Sequence, residues 1–181
     1  MPAGLKNNER ILSHINTQTC NPNFTIRSAT IEDTALILRF IKELAEYEKL
    51  LHEVVTDEAT LKESLFGVTP HAKVVLGEYN GKPVSFALYF HNFSTFVGLP
   101  GIYLEDLYVQ PNMRGNGLGK ILLGYLADLA IRLNCGRLEW WVLDWNKPAI
   151  DFYQSLGAQS MDEWTVNRVT GKALDKLAKH L

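Results

Sequence analysis

The segment 109–120, which reads VQPNMRGNGLGK, places one arginine and three glycines between a strand-like run and a helix-like run. Glycine-rich turns let backbone N–H groups approach an anion, and the helix that follows directs its positive end to the same place. Arg114 adds a guanidinium group, which pairs well with phosphate oxygens. We call residues 109–120 the cradle, and its composition predicts a site for a phosphate or pyrophosphate group.

Two familiar phosphate-binding motifs do not fit the cradle. A Walker A loop needs a glycine where Arg114 stands and Ser or Thr after Lys120, where the sequence has Ile121. The dinucleotide fingerprint needs G-x-G-x-x-G, whereas the three glycines here occupy alternate positions. A pyrophosphate site of a third kind and a turn that only connects the strand to the helix remain as the two interpretations.

Two adjacent acidic residues, Glu105 and Asp106, interrupt an otherwise apolar strand-like run over residues 102–109. Because side chains alternate along a strand, we expect these carboxylates on opposite faces, so that one of them can face a cleft. A carboxylate in a cleft can act as a general base. The alternative is a buried carboxylate that backbone donors or an arginine satisfy.

The bulk properties restrict the class of protein. A chain of 181 residues, 46% of them apolar and 21% charged, fits one globular domain. The formal charge of −2 gives no reason to expect nucleic acid or an anionic membrane as a partner. No apolar run approaches the ~20 residues that cross a bilayer, and the two cysteines lie far apart in sequence. We therefore expect a cytoplasmic protein. The five histidines show no spacing typical of a metal site, so we expect no bound metal ion.

Hydrophobic periodicity and turn residues predict an α+β fold. An Asn-Gly pair at 80–81 predicts an antiparallel hairpin, and the strand–cradle–helix–strand order predicts a parallel pair. The sheet is expected to be mixed and mostly antiparallel, with about six or seven strands and about four helices. Residues 1–23 are expected to form a mobile arm, and residues 24–181 one domain that ends in a short helix. The predicted strands are 24–27, 72–78, 83–91, 101–109, 137–143 and about 164–169, and the predicted helices are 30–47, 56–66, the cradle to 133, and 148–156.

Four segments together resemble the GNAT superfamily of acyl-CoA-dependent N-acetyltransferases, over residues 24–169. They read FIKELAEYEKL, YLEDLYV, RGNGLGK and VLDWNKPAIDFYQSLGA. The order is a strand, V-x-P-x-x-R-G-x-G-x-G, a helix, a strand, and then an asparagine and an aromatic–Tyr pair. Within the superfamily the segments resemble the spermidine/spermine acetyltransferase group and its thialysine-acetylating branch. The resemblance implies a GNAT-like sheet, acetyl-CoA as the co-substrate, no metal ion and a homodimer.

The resemblance also implies how coenzyme A is held. The pyrophosphate is expected on the backbone of the cradle, with Arg114 or Lys120 on its outer oxygens. The pantetheine arm is expected to pair edgewise with the end of the strand and to contact Asn146, which also fits a helix N-cap by residue type. The cofactor-binding residues are therefore predicted to be Leu107, Tyr108, Val109, Arg114, Gly115, Asn116, Gly117, Leu118, Gly119, Lys120 and Asn146.

Two further residues are implied to carry the chemistry. An alkyl amine has a reference pKa near 10.4, so it is protonated at neutral pH and must lose a proton before it attacks. By resemblance, Glu105 draws that proton through water, and Tyr153 is the general acid that meets the thioester sulfur. From the residues alone, plain packing is the favoured interpretation of Tyr153, because it lies three positions after Ile150 on one helical face.

The acceptor amine is implied to lie near Tyr47, Glu48, Glu105 and Glu163. Glu48 also fits a solvated face, because it lies in the charge-rich run 43–49. The loop 91–101 contains no acidic residue, and its Ser94-Thr95 pair resembles the thialysine branch. We therefore expect a small lysine-like amine or short diamine in preference to spermidine or spermine. An acetyltransferase acting on protein lysine and a non-catalytic acyl-CoA-binding module on the same fold remain the alternatives.

Overall fold

One six-stranded sheet organises the chain. The computed structural model describes residues 16–181, and the strands lie in the sheet in their chain order. Every neighbouring pair is antiparallel except the last, which is parallel. The mixed, mostly antiparallel sheet predicted from the sequence is therefore confirmed. The strands are β1 (Asn16–Gln18), β2 (Phe24–Ser28), β3 (Lys73–Tyr79), β4 (Lys82–Ser94), β5 (Leu99–Val109) and β6 (Leu138–Trp140).

Five α-helices accompany the sheet in the described part of the chain. The first four lie within a few residues of their predicted positions, although a short 3-10 turn, Ile31–Asp33, precedes the first helix. Arg27 ties that turn to the sheet, because its guanidinium nitrogens lie 2.7 Å from both Asp33 and Glu78. The helices are α1 (Thr34–Tyr47), α2 (Glu58–Phe66), α3 (Leu118–Arg132), α4 (Lys147–Ser155) and α5 (Gly171–Ala178).

The β3–β4 hairpin forms at the Asn-Gly pair. Tyr79 pairs with Lys82, and Asn80 and Gly81 between them have φ angles of 50° and 73°. Positive φ at both central residues is the geometry of the two-residue turn that matches the twist of the strands. The hairpin predicted from these two residues is confirmed.

Apolar side chains cover the sheet on both faces. On one face, Ile37 and Phe40 of α1 pack with Leu76 and Phe86 in a buried cluster that includes α2. The strand residues that alternate with these, such as Ala87, are also buried. Helix α3 contacts β4, β5 and β6 and buries the apolar residues Leu122, Leu126 and Leu129. The core therefore fixes the positions of α1, β5 and α3, the elements that hold most of the predicted site.

The sheet differs from its predicted extent near both ends of the described chain. Strand β1 pairs with β2 inside the segment assigned to an arm, so the sheet begins before Phe24; residues 1–15 lie outside the described residues. The strand predicted at about 164–169 is wrong, because that stretch forms neither helix nor strand. Its alternating pattern is strand-like, but it is not one of the six strands of the described sheet. Trp164 and Val166 remain exposed.

The chain divides into two compact units at Trp141. The first unit contains the sheet and α1–α3, and the second contains α4 and α5. In the second unit, Pro148 lies in the first turn of α4, and Gly157, with a φ angle of 92°, follows its end. Over residues 16–181, every helix is too short or too polar to cross a membrane.

Candidate functional site

The cradle forms a tight turn between β5 and α3. Residues Pro111–Met113 make one 3-10 turn, and Gly117 is the N-cap of α3. Gly115 and Gly117 have φ angles of 81° and 75°, in the left-handed region that other residues enter only at a cost. These two glycines are therefore required by the backbone conformation of the turn.

The surface of the cradle fits a bound anion. A Cβ atom added to Gly115 or Gly117 would meet no atom within 4 Å, so the space above both residues is open. The first N–H groups of an α-helix have no partner within the helix, and they carry its positive partial charge. Asn116 stabilises the turn, since its Nδ2 donates to the carbonyl of Met113 at 3.1 Å. Leu118 is buried, so only its backbone can serve a ligand.

The side chain of Arg114 extends from the cradle toward α1. Its Nε donates to the carbonyl oxygen of Val109 at 3.0 Å. The central carbon of the guanidinium lies 4.5 Å from the ring centroid of Tyr47 and 5.8 Å from that of Tyr108. Arg114 therefore joins the cradle to the last turn of α1.

The end of β5 has one backbone edge that no described strand covers. Leu107, Tyr108 and Val109 pair with β4 on one side. On the other side, β6 pairs with β5 only at Ile102–Leu104. An uncovered edge of this kind can take an extended ligand through backbone hydrogen bonds. This geometry suits the role that the sequence analysis gives to Leu107–Val109.

A β-bulge lies at Glu105. Leu88 of β4 pairs with Asp106, whereas the next residue, Tyr89, pairs with Leu104, so Glu105 is an extra residue on β5. A bulge disrupts the regular pleat. The simple alternation used to expect Glu105 and Asp106 on opposite faces therefore does not hold here. Glu105 is exposed, and Asp106 is half-buried.

Asp106 is an acidic residue whose environment the sequence does not reveal. Burial raises its pKa to about 7, and the negative charges of Glu105 and Glu48 contribute to the increase. Burial also raises the pKa of Glu48, which is half-buried at the end of α1. We call Glu48, Glu105 and Asp106 the acidic region. The adjacent acids in an apolar strand were visible in the sequence, but their proximity to Glu48 depends on the packing of α1.

A groove of about 490 Å³ lies between the end of α1 and the cradle. Tyr108, in its wall, is buried, and burial together with a hydrogen bond to Glu43 raises its pKa to about 12. Tyr47 is 38% exposed at the same end of α1. The groove therefore combines negative, aromatic and guanidinium groups; its lining includes Glu43, Glu46, Tyr47, Tyr108, Gln110 and Arg114.

Three predicted site residues belong to the second unit. Asn146 is the N-cap of α4, as its residue type predicts, and its side chain accepts a hydrogen bond from the N–H of Ala149 at 3.4 Å. Tyr153 is half-buried on α4, with its ring centroid 5.3 Å from that of Phe152. Glu163 is exposed and lies outside any helix or strand.

Metal ions in proteins are bound by clusters of His, Cys, Asp or Glu side chains. Over residues 16–181, no three His, Cys, Asp or Glu side chains form a group that could hold a metal ion.

Comparison with known proteins defines the class. Residues 38–158 match the acetyltransferase (GNAT) family. The chain is 41% identical to the bovine thialysine N-epsilon-acetyltransferase over 84% of its own length and 96% of that protein. It is 31% identical to the L-ornithine N5-acetyltransferase NATA1 of Arabidopsis thaliana over 85% of its own length and 87% of that protein. An integron cassette protein from V. cholerae has a similar structure, with a TM-score of 0.73, 29% identity, and coverage of 87% of this chain and 98% of that chain.

The chain therefore belongs to the GNAT family of acetyltransferases and is an amine N-acetyltransferase. Acetyl-CoA is the co-substrate of acetyltransferases with this fold, which agrees with the open, glycine-built cradle.

Proposed function

We propose that this enzyme transfers the acetyl group of acetyl-CoA to the primary amine of a small lysine-like amino acid or short diamine. The observation that carries the proposal is the arrangement along β5, where Glu105 and Asp106 of the acidic region lie on the strand that leads directly into the cradle. A positively charged amine and an anionic cofactor can therefore bind along one strand. The similarity to acetyltransferases named for thialysine and ornithine supports an acceptor of this size.

The chain offers backbone and side-chain groups for the cofactor. Residues 115–120 would donate N–H groups to the pyrophosphate, with Arg114 or Lys120 supplying positive charge. Leu107, Tyr108 and Val109 would pair with the pantetheine arm through the uncovered edge of β5. Asn146 would contact the same arm.

The acidic region would attract and deprotonate the amine. At pH 7 only about one in ~2,500 molecules of an alkyl amine is neutral, which corresponds to ~4.6 kcal/mol. The carboxylate of Glu105 is exposed, so it can accept the ammonium proton through a water molecule. Glu48 and Glu163 would supply further negative charge, and Tyr47 would border the acceptor.

The transfer itself would proceed by direct attack in a ternary complex. The amine nitrogen would form a bond to the thioester carbonyl carbon, and the bond from that carbon to sulfur would break. The ammonium proton would pass through water to Glu105, and the hydroxyl of Tyr153 would protonate the departing thiolate. The second proton, which the nitrogen loses as it becomes an amide, would pass through water to restore the Tyr153 hydroxyl. Three proton transfers would thus accompany one acyl transfer, with Glu105 as the base for the ammonium and Tyr153 as the acid for the thiolate.

The loop between β4 and β5 supports a short acceptor. Residues 91–101 contain no acidic side chain that could hold a distant ammonium group of a long polyamine. Ser94, which belongs to a segment that resembles the thialysine branch, is buried, and its hydroxyl accepts a hydrogen bond from the N–H of Val97. Ser94 would therefore act by shaping the loop.

We also propose that the enzyme is a cytoplasmic homodimer. Apolar residues of the second unit are exposed in the single chain, including Met161, Trp164 and Leu174. A contiguous patch of exposed apolar groups is typical of an interface. Cys20 and Cys135 are both free thiols, which suits a reducing compartment. Light scattering should give twice the chain mass, and a monomer mass would contradict the homodimer.

Thiol release from acetyl-CoA tests the proposed activity. Short diamines and lysine-like amino acids should release coenzyme A faster than a lysine-containing peptide, and initial-rate lines at several amine concentrations should intersect. Faster release with the peptide would indicate a protein acetyltransferase. If no amine caused release, a binding module would be the better interpretation.

A further inference from the structure

The contact between Arg114 and Tyr47 joins the predicted cofactor site to the predicted amine site. Arg114 belongs to the cradle, whereas Tyr47 was assigned to the amine. In the structure, the guanidinium carbon of Arg114 lies 4.5 Å from the centroid of the Tyr47 ring, within cation–π range. The side chain of Tyr47 thus contacts a cofactor-side residue.

Arg114 is held from more than one direction. Its Nε donates to the carbonyl of Val109 at 3.0 Å, and the ring of Tyr108 lies 5.8 Å from the guanidinium carbon. A guanidinium that stacks through its face keeps its N–H groups in the plane, where they can bind phosphate oxygens. The two ring contacts therefore restrict a long, exposed side chain, and the hydrogen bond to Val109 uses only its Nε, so the Nη groups can donate to an anion.

Tyr108 connects the Arg114 contacts to the buried core. Tyr108 is 3% exposed and packs against Phe40 of α1, with ring centroids 5.7 Å apart. A side chain that is already ordered loses less conformational entropy when a ligand binds. The rings of Tyr47 and Tyr108 thus form a preformed seat for the guanidinium of Arg114.

We propose that Tyr47 is a positioning residue for acetyl-CoA, because its ring holds Arg114 at the cradle and ties the last turn of α1 to the cofactor site. The proposal rests on the proposed function and assigns Tyr47 a second role besides bordering the amine. It predicts that the loss of this ring weakens cofactor binding through Arg114.

Calorimetry of acetyl-CoA binding to the purified enzyme tests the proposal without turnover. Tyr47→Leu should raise the Kd of acetyl-CoA about three- to tenfold, the size expected for one lost cation–π contact. Tyr47→Phe keeps the ring and should stay within about twofold of the original Kd. Thermal melting of both variants shows whether the fold is intact, and a Phe variant as weak as the Leu variant would contradict the role of the ring.

A double-mutant cycle shows whether Tyr47 acts through Arg114. Arg114→Met removes the guanidinium, so adding Tyr47→Leu to it should change the Kd less than twofold further. Full additivity of the two changes would overturn the proposal, as would a Tyr47→Leu variant that raises only the KM of the amine. Failure of the proposed function looks different, because the original enzyme would then bind acetyl-CoA and acetylate no amine.

Discussion

The cradle and the acidic region use the same strand but are built in different ways. The cradle is made of consecutive residues, and its shape depends on backbone angles at Gly115 and Gly117. The acidic region combines the side chain of Glu48, at the end of α1, with two residues at a bulge in β5, and burial raises the pKa values of Glu48 and Asp106. The cradle is therefore a local, backbone-encoded turn, whereas the acidic region depends on tertiary packing.

Removal of one hydroxyl group should separate chemistry from cofactor binding. Tyr153→Phe keeps the ring of a half-buried residue and deletes the proposed proton donor. We expect turnover to fall ~10²-fold while the Kd of acetyl-CoA is retained, as measured by stopped-flow and calorimetry. Undiminished turnover, with chemistry shown to limit the rate, would rule out the general-acid role.

The proton-accepting role of Glu105 should appear in the pH profile. Glu105→Gln should lower kcat/KM for the amine by ~10-fold at pH 7 and by less at high pH, because more of the amine is then neutral in solution. Asp162→Asn, which changes an exposed carboxylate of the second unit, is the control. A loss that is equal at every pH would indicate that Glu105 positions the amine instead.

The backbone character of the cradle can be tested with two matched glycine variants. A Cβ atom at either Gly117 or Gly124 would meet no atom within 4 Å, but only Gly117 has a positive φ angle. Gly117→Ala should therefore cost ~1–2 kcal/mol in backbone strain and weaken acetyl-CoA binding. Gly124→Ala, inside α3, should stabilise the protein by ~0.5–1 kcal/mol.

Urea unfolding and acetyl-CoA titration measure these two effects. If both glycine variants bound acetyl-CoA equally well, the left-handed turn would have no role in the site.

Asp106 should make stability depend on pH. Its pKa is about 7 in the folded protein, above the ordinary value of 3.8, so the folded state favours the protonated form. The resulting stability is present at low pH and decreases as the pH rises from about 4 through 7. The side chain of the Asp106→Asn variant cannot ionise, so the variant does not lose this stability. The unfolding free energy of the variant minus that of the original protein should therefore increase by at least ~1 kcal/mol between pH 4 and pH 7.

Urea unfolding between pH 4 and pH 8.5 measures the difference. A constant difference across this range would show that Asp106 does not titrate as its burial requires.

The comparison also explains which features could be predicted from the sequence. The hairpin at Asn80–Gly81, the cradle and the cap at Asn146 depend on a few neighbouring residues, so their residue types were sufficient. The bulge at Glu105 inserts one residue without a local signal, and the charge interaction of Asp106 with Glu48 depends on the packing of α1, which is distant in sequence. The wrong strand at 164–169 shows the same limit, because pairing requires a neighbouring strand that local alternation cannot supply.

The central claim is the acetylation of a small, lysine-like amine, and kinetics with an amine panel test it most directly. Thialysine, lysine, ornithine, putrescine, spermidine and spermine would be assayed at one ionic strength, with mass spectrometry of each product. We predict that a lysine-like amine or a short diamine gives the highest kcat/KM and gains one acetyl group on its amine. A highest kcat/KM with spermidine or spermine would contradict this account of the acceptor site.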